Sequence, residues 1–142
     1  MDLIKFEEQF LDDILEIEKE SFPHSWTSEM FLSSAKNNAV TFKVLIENKS
    51  VVGYYIISTA SDETEVIEIA VRTQFRRKNF GKFMLADILK EAIAKKSKFI
   101  FLETRKSNIP ALNLYKSFGF KEIVIRKNYY KIEDAILLKL VV

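Results

Sequence analysis

The chain has 142 residues, of which 48% are hydrophobic and 30% charged, and its formal net charge is +2. This length and balance predict one folded domain over residues 1–142 and argue against a disordered chain. The small net charge argues against nucleic acid as a partner. The sequence has no cysteine and a single histidine, His24, which excludes thiol nucleophiles, disulfides and thiolate or histidine-cluster metal sites.

The N-terminal segment and the hydropathy pattern predict the location of the protein. MDLIKFEEQF has acidic residues where a secretory signal has cations followed by a long apolar run. No stretch approaches the roughly 18 apolar residues of a membrane span. We therefore expect a cytoplasmic protein with no membrane partner.

Apolar periodicity predicts two helices and four strands in the first half of the chain. Helical spacing of Leu11, Ile14 and Ile17 indicates the first helix, and Ser25 or Thr27 can cap the second. Runs of branched and aromatic residues then predict strands, with Asn48-Lys49 as a hairpin turn. The predicted elements are a strand at 2–6, helices at 12–21 and about 28–36, and strands at 40–47, 51–59 and 64–71.

The second half returns to helical spacing and then alternates between strands and a helix. Phe80, Met84, Ile88 and Ala92 form one apolar stripe, and Pro110 and Gly119 suit the start and the end of a short helix. The predicted elements are helices at 80–95 and 108–118 and strands at 98–104, 119–126 and 134–142. The order β-α-α-β-β-β-α-β-α-β-β predicts an α/β fold with a mixed sheet and a parallel, right-handed crossover over residues 64–104.

A cation-rich turn, QFRRKNFGKFML at residues 74–85, lies where the predicted strand at 64–71 gives way to the predicted helix at 80–95. The first N–H groups of a helix have no intrahelical acceptor, and diphosphates often bind there. Gly81 would let the backbone approach such a ligand closely. The positive field comes from Arg76, Arg77, Lys78 and Lys82. A solvated basic turn is the alternative; an RNA contact is disfavoured because no aromatic residue is interleaved within Arg76-Arg77-Lys78.

The spacing Arg76-x-x-Asn79-x-Gly81 resembles the acetyl-CoA pyrophosphate loop of the GNAT N-acetyltransferases, whose pattern is [QR]-x-x-G-x-[GA]. Asn79 stands where that pattern has its first glycine. Asparagine is the next best residue for a left-handed backbone conformation. We therefore expect the loop to keep its shape.

The resemblance extends over about residues 22–140 to the RimI branch of this family. It rests on FPHSW, IEIAV, the run LETRKSNIPALNLYKSFGF at 102–120, and RKNYY followed by EDAILL. The segment between Tyr130 and Glu133 is shorter than in that branch. The resemblance implies a GNAT-like acyl-CoA N-acyltransferase fold and acetyl-CoA as co-substrate, with no metal. It also implies that the acceptor is the N-terminal amine of a protein, such as a small-subunit ribosomal protein.

Glu103 ends the strand KFIFLET on the same face as Phe99 and Phe101. A carboxylate at the C-terminal end of a central strand lies where open α/β sheets bind ligands. From position alone, it could equally be a salt-bridged strand end with Arg105 or a lysine as partner. The resemblance implies that Glu103 is the general base.

Asn108 and Tyr115 lie seven residues apart in the short helix, and two turns of helix would bring them to one face. Tyr115 could be a core aromatic, or its phenol could protonate a departing thiolate. The resemblance implies that Tyr115 is the acid and that Asn108 contacts the cofactor.

Glu68 is the rival for the role of base, because it interrupts the apolar strand VIEIAV and many other GNAT members have their base on this strand. It could instead recognise the substrate amine, or be a polar residue on a half-exposed strand.

The resemblance implies direct transfer in a ternary complex, since there is no cysteine to carry the acetyl group. Backbone groups of Ile69, Ala70 and Val71 would pair with the pantetheine. The pyrophosphate would be held by Arg76, Arg77, Lys78, Asn79, Phe80, Gly81 and Lys82.

Two other functions stay open from the sequence. The same fold could acetylate a lysine or a small amine, although a peptide α-amine, with a pKa of about 8 against about 10.4 for lysine, is easier to deprotonate. The domain could also be a non-catalytic CoA-binding module. The sequence predicts no oligomeric state.

Overall fold

The computed structural model describes residues 1–127 and 133–142. Its strands are β1 (Asp2–Lys5), β2 (Val40–Glu47), β3 (Ser50–Ala60), β4 (Glu63–Val71), β5 (Phe99–Arg105), β6 (Lys121–Arg126) and β7 (Ala135–Val141). Its helices are α1 (Leu11–Ser21), α2 (Ser28–Ala35), α3 (Phe80–Ala94) and α4 (Ile109–Ser117). The predicted order of elements is confirmed, with two additional short 3₁₀ turns at Glu8–Phe10 and Thr73–Phe75. Tyr130 and most of the RKNYY segment lie outside the described residues.

The strands form one mixed sheet in the order β1-β2-β3-β4-β5-β7-β6. The pairs β1–β2, β2–β3, β5–β7 and β6–β7 are antiparallel, and β4 and β5 are parallel. The predicted α/β fold class and the parallel crossover are therefore confirmed. The handedness of the crossover stays a prediction.

The chain divides into two compact units, and the single domain over residues 1–142 stays a prediction. The first unit comprises residues 1–58 and 67–91, and the second comprises residues 59–66 and 92–142.

The core of the first unit lies between its helices and strands. Ile14 and Ile17 on α1 are fully buried together with Phe31 on α2. The ring of Phe31 meets the ring of Tyr54 on β3 edge-on at 5.9 Å between centroids, an arrangement that favours aromatic pairs beyond their burial. Thr27 caps α2 by accepting from the Met30 N–H at 3.3 Å, one of the two caps expected from the sequence.

Backbone geometry explains the residues of the turn between β2 and β3 and the glycine within β3. Asn48 and Lys49 have φ of 50° and 64°, which is the conformation of the predicted two-residue hairpin turn. At Gly53 an added Cβ would lie 2.7 Å from the carbonyl oxygen of Ala70 and 3.1 Å from Met84 Cε. Glycine is needed at this position because β3, β4 and α3 approach one another too closely there for a side chain.

The second unit is built on β5 and α4. Ile100 and Leu102 on β5 are buried, whereas Phe99, Phe101 and Glu103 on the opposite face are half-buried.

Helix α4 ends as the sequence predicts. Gly119 has φ of 97°, and its N–H donates to the Lys116 carbonyl at 3.0 Å while the Phe120 N–H donates to the Tyr115 carbonyl at 3.2 Å. These two bonds form a Schellman motif, and the side chains of Phe120 and Tyr115 make the apolar contact that accompanies it.

Candidate active site

The cation-rich turn runs directly into the first turn of α3. Asn79 has φ of 67°, so the expected left-handed conformation at this position is confirmed. Its carbonyl accepts the Phe83 N–H at 3.0 Å, which is the first bond of the helix. The N–H groups of Phe80, Gly81 and Lys82 therefore precede the helical ladder and, with the helix dipole, can bind an anion.

The cations of this turn fall into two classes. All four are exposed. The guanidinium of Arg76 is hydrogen-bonded as well, donating to the Val71 carbonyl at 3.1 Å and to Ser21 Oγ at 3.2 Å. Arg76 therefore fastens the turn to the end of β4 and to α1, and an anion would meet the other three cations.

The acidic side of α1 holds the segment before the turn. Arg72 pairs with Glu16 at 2.9 Å and with Asp13 at 3.3 Å, and the Thr73 N–H donates to Glu20 at 2.7 Å. A polar groove of about 470 Å³ lies beside these contacts. The predicted site residues do not line this groove, and the charges of Arg72, Asp13 and Glu16 on its wall are already paired.

The end of β4 presents part of its backbone away from β3. The Arg72 N–H donates to the Val52 carbonyl at 2.7 Å, so by strand alternation Ala70 also points toward β3, and Ile69 and Val71 point the other way. The β4–β5 ladder runs from Glu63–Phe99 to Glu65–Phe101, and residues 69–71 lie beyond its end. Of the three residues predicted to pair with the pantetheine, Ile69 and Val71 are therefore the two whose backbone groups point away from β3.

Glu68 belongs to a buried network that the sequence did not predict. The Tyr54 hydroxyl donates to Glu18 Oε1 at 2.6 Å and its oxygen lies 2.9 Å from Glu68 Oε1. The second oxygen of Glu18 accepts the Trp26 N–H at 2.9 Å. Glu18 is 0% exposed and Glu68 8%. Glu18 lies four residues after Ile14 in the buried stripe of α1, and that spacing was the signal for its burial.

This network keeps a proton on Glu68. A phenol has one proton and can donate to only one of two carboxyl groups, so the second contact requires a proton on a carboxyl. Burial, followed by the hydrogen bond and the charge of Glu18, raises the pKa of Glu68 to about 9. Burial also raises the pKa of Tyr54, which keeps the phenol neutral. At neutral pH Glu68 is a hydrogen-bond donor, so it is a poor candidate for the general base.

Glu103 lies at the end of β5 with its side chain 25% exposed, and its Oε1 accepts from Arg126 Nη1 at 3.0 Å. The salt bridge considered from the sequence is therefore present, but its cation comes from β6. Arg105, one of the partners expected, pairs with Glu133 at 3.8 Å.

Asn108 and Tyr115 have separate roles in α4. Asn108 is the N-cap, and its side-chain oxygen accepts from the Ala111 N–H at 3.3 Å. Tyr115 is 6% exposed and packs on Phe120 at 6.1 Å between ring centroids. Packing is therefore at least one role of Tyr115.

The predicted site residues fall into two groups. Residues 69–71 and 76–82 lie in the first unit together with Glu68, and Glu103, Asn108 and Tyr115 lie in the second.

Within the described ranges, no helix is long and apolar enough to cross a membrane. In the same part of the chain, no three histidine, aspartate or glutamate side chains are grouped to hold a metal ion.

Comparison with known proteins identifies relatives of this chain. A model of the acetyltransferase (GNAT) family matches residues 11–120. The ribosomal protein bS18-alanine N-acetyltransferase of Escherichia coli strain K12 is 31% identical over 128 residues, which cover 87% of this chain and 86% of that protein. The crystal structure of the ribosomal-protein-S18-alanine N-acetyltransferase from Escherichia coli matches with a TM-score of 0.90 at 28% identity over 99% of this chain and 92% of that chain.

A more distant structure supports the fold alone. A GNAT family acetyltransferase from Elizabethkingia anophelis, crystallised with acetyl-CoA bound, matches with a TM-score of 0.79 at 22% identity, covering 99% of this chain and 97% of that chain.

Proposed function

Because this chain belongs to the acetyltransferase (GNAT) family and is an N-acetyltransferase, we propose that it transfers an acetyl group from acetyl-CoA to the N-terminal α-amine of a protein. The names of its bacterial relatives support ribosomal protein bS18, with an N-terminal alanine, as that protein.

The start of α3 is the observation that supports acetyl-CoA as the acetyl donor. Three consecutive N–H groups follow the left-handed Asn79, and Arg77, Lys78 and Lys82 surround them with positive charge. This arrangement fits the pyrophosphate of acetyl-CoA. The backbone of Ile69 and the N–H of Val71 suit the pantetheine amides, because both point away from β3.

Glu103 and Tyr115 are the groups proposed for the proton transfers. The amine must lose a proton before or during its attack on the thioester carbonyl, and Glu103 takes this proton through a water molecule. The bond between the acetyl carbon and sulfur breaks as the C–N bond forms, and Tyr115 gives its proton to the leaving thiolate. Direct attack within a ternary complex suits a chain without cysteine.

The acceptor is tested with two peptides and purified protein. One carries the N-terminal sequence of bS18 with a free alanine amine, and the other has a blocked N-terminus and an internal lysine. We expect release of CoA with the first peptide only, and mass spectrometry should locate the acetyl group on the α-amine. Acetylation of the lysine alone would contradict the proposed acceptor, and binding of acetyl-CoA without transfer would indicate a binding module.

The same assay tests the two catalytic residues. Glu103→Gln and Tyr115→Phe should each lower kcat by roughly a hundredfold, with the affinity for acetyl-CoA measured by calorimetry unchanged. For Tyr115→Phe, a donor with a more acidic thiol should recover much of the rate. A fully active Tyr115→Phe protein would leave Tyr115 with its packing role alone.

A further inference from the structure

We propose that Arg126 is a positioning residue for the catalytic base, holding the Glu103 carboxylate in one orientation for the acceptor amine. This inference rests on the proposed function, because it assigns a role to a partner of Glu103 in that reaction.

The strand register places both side chains on one face of the sheet. Glu103 on β5 is opposite Leu137 on β7, and Arg126 on β6 is opposite Ala135 on β7. Residues 135 and 137 lie on the same side of their strand because side chains alternate. Arg126 therefore reaches diagonally across β7, past the small side chain of Ala135, to a carboxylate on the second strand along.

The ion pair joins Arg126 to one oxygen of the Glu103 carboxylate, Oε1. Arg126 Nη1 lies 3.0 Å from Glu103 Oε1. A guanidinium is planar and always charged, so it restricts the rotation of a bound carboxylate more than an ammonium does. We assign the second oxygen, Oε2, to the water molecule that carries the proton from the amine.

The positive charge of Arg126 also acts on the acceptor. An α-ammonium group that approaches Glu103 comes near this guanidinium, and a like charge nearby favours the neutral amine. The neutral amine is the nucleophile. Arg126 is 46% exposed, so this effect is screened by solvent and we expect the orientation of Glu103 to be the larger contribution.

The chain offers a matched control in Arg105. Arg105 shares the face of Glu103 on β5 and pairs with Glu133 at 3.8 Å. Substitution of either arginine by glutamine removes one cation of an ion pair on the same sheet face. The two variants differ in whether the carboxylate that loses its partner is the proposed base.

The test compares Arg126→Gln, Arg126→Lys and Arg105→Gln in the peptide assay. We expect Arg126→Gln to lower kcat by roughly ten- to a hundredfold, the scale of a misplaced reacting group, with the KM for acetyl-CoA unchanged. Arg126→Lys should recover part of the loss, and Arg105→Gln should turn over like the unaltered protein. In a Glu103→Gln background, Arg126→Gln should cause little further loss, because the larger contribution of Arg126 acts through Glu103 and its charge acts only weakly on the acceptor.

Three outcomes would overturn the inference. Equal turnover of Arg126→Gln and Arg105→Gln would show that the ion pair of Arg126 on the edge strand β6 has no role in catalysis. A loss from Arg126→Gln that is as large in the Glu103→Gln background as in the unaltered protein would show that Arg126 acts independently of Glu103. Full activity of Glu103→Gln would overturn the base assignment as well, so failure of the proposed function is distinguishable from failure of the positioning role.

Discussion

Glu68 is a carboxyl group that the folded chain holds in its neutral form. Burial beside Glu18 raises its pKa to about 9, against 4.5 for an ordinary glutamate. The folded state thus binds this proton more tightly than the unfolded state does. Its contribution to the free energy of unfolding is full below about pH 4.5, falls as the pH rises toward about 9, and is constant above that.

Substitution of Glu68 should change how the free energy of unfolding depends on pH. Glu68→Gln keeps a neutral group of the same shape that can still donate to the Tyr54 oxygen, and it removes the cost of binding a proton at neutral pH. We expect the variant to be more stable than the unaltered protein at pH 8 and to lose less stability between pH 5 and pH 9. Urea denaturation at three pH values measures both effects.

Glu65, an exposed carboxylate on the same strand, provides the control. Glu65→Gln should change the free energy of unfolding by less than about 0.5 kcal/mol and leave its pH dependence intact. Glu68→Gln with an unchanged pH dependence would mean that Glu68 is not the group that holds the proton.

At the scale of elements, the start of α3 depends on one left-handed residue. Asn79 has φ of 67°, a conformation that costs an alanine roughly 1–2 kcal/mol and a glycine almost nothing. Asn79→Ala should therefore weaken acetyl-CoA binding by about tenfold, because the N–H groups of the next three residues lose their alignment. Calorimetry measures the affinity directly.

Asn79→Gly is the matched variant, since it keeps the backbone conformation and removes the side chain. It should bind acetyl-CoA at least as well as the unaltered protein. Equal weakening by glycine and alanine would show that the asparagine side chain makes a contact of its own.

The close approach of β3, β4 and α3 at Gly53 leads to another prediction. Gly53→Ala would force the Ala70 carbonyl aside, because backbone cannot move as easily as the end of a side chain. We expect a loss of roughly 1–3 kcal/mol in the free energy of unfolding and weaker binding of acetyl-CoA, since Ala70 lies between Ile69 and Val71. Thermal unfolding and calorimetry measure the two effects.

Gly119→Ala is the control that separates a loss of stability from a loss of affinity for acetyl-CoA. It is strained by the positive φ at that position and should destabilise the protein as well. Gly119 lies after α4, away in sequence from residues 69–82, so its substitution should not change the affinity for acetyl-CoA. Equal losses of affinity in both variants would trace the effect of Gly53→Ala to general destabilisation.

At the scale of the whole molecule, local signals predicted the order of the elements and many of their ends. The turn at Asn48-Lys49, the cap at Thr27 and the glycine after α4 each depend on residues within one or two turns of chain. Such short-range chemistry is readable from sequence.

The side-chain partners of the site were not readable in the same way. The cation that pairs with Glu103 comes from β6, 23 residues later, and Tyr54 joins carboxyls from α1 and β4. Neither pairing produces a periodic pattern in the sequence, because each depends on which elements are neighbours in the fold rather than on spacing along the chain. The bond from Arg76 to Ser21 on α1 is a long-range contact of the same kind, whereas the cap that Asn108 provides for α4 is a local contact to Ala111 of the kind that sequence can indicate.

The proton on Glu68 changes the charge inventory of the protein. The formal net charge of +2 at pH 7 treats every glutamate as ionised, so one protonated carboxyl makes the folded chain +2 + 1 = +3. Folding at pH 7 therefore takes up a proton from the buffer, and unfolding returns it. The calorimetric enthalpy of unfolding should consequently differ between phosphate and Tris by the difference in their heats of ionisation, a signature that disappears in Glu68→Gln.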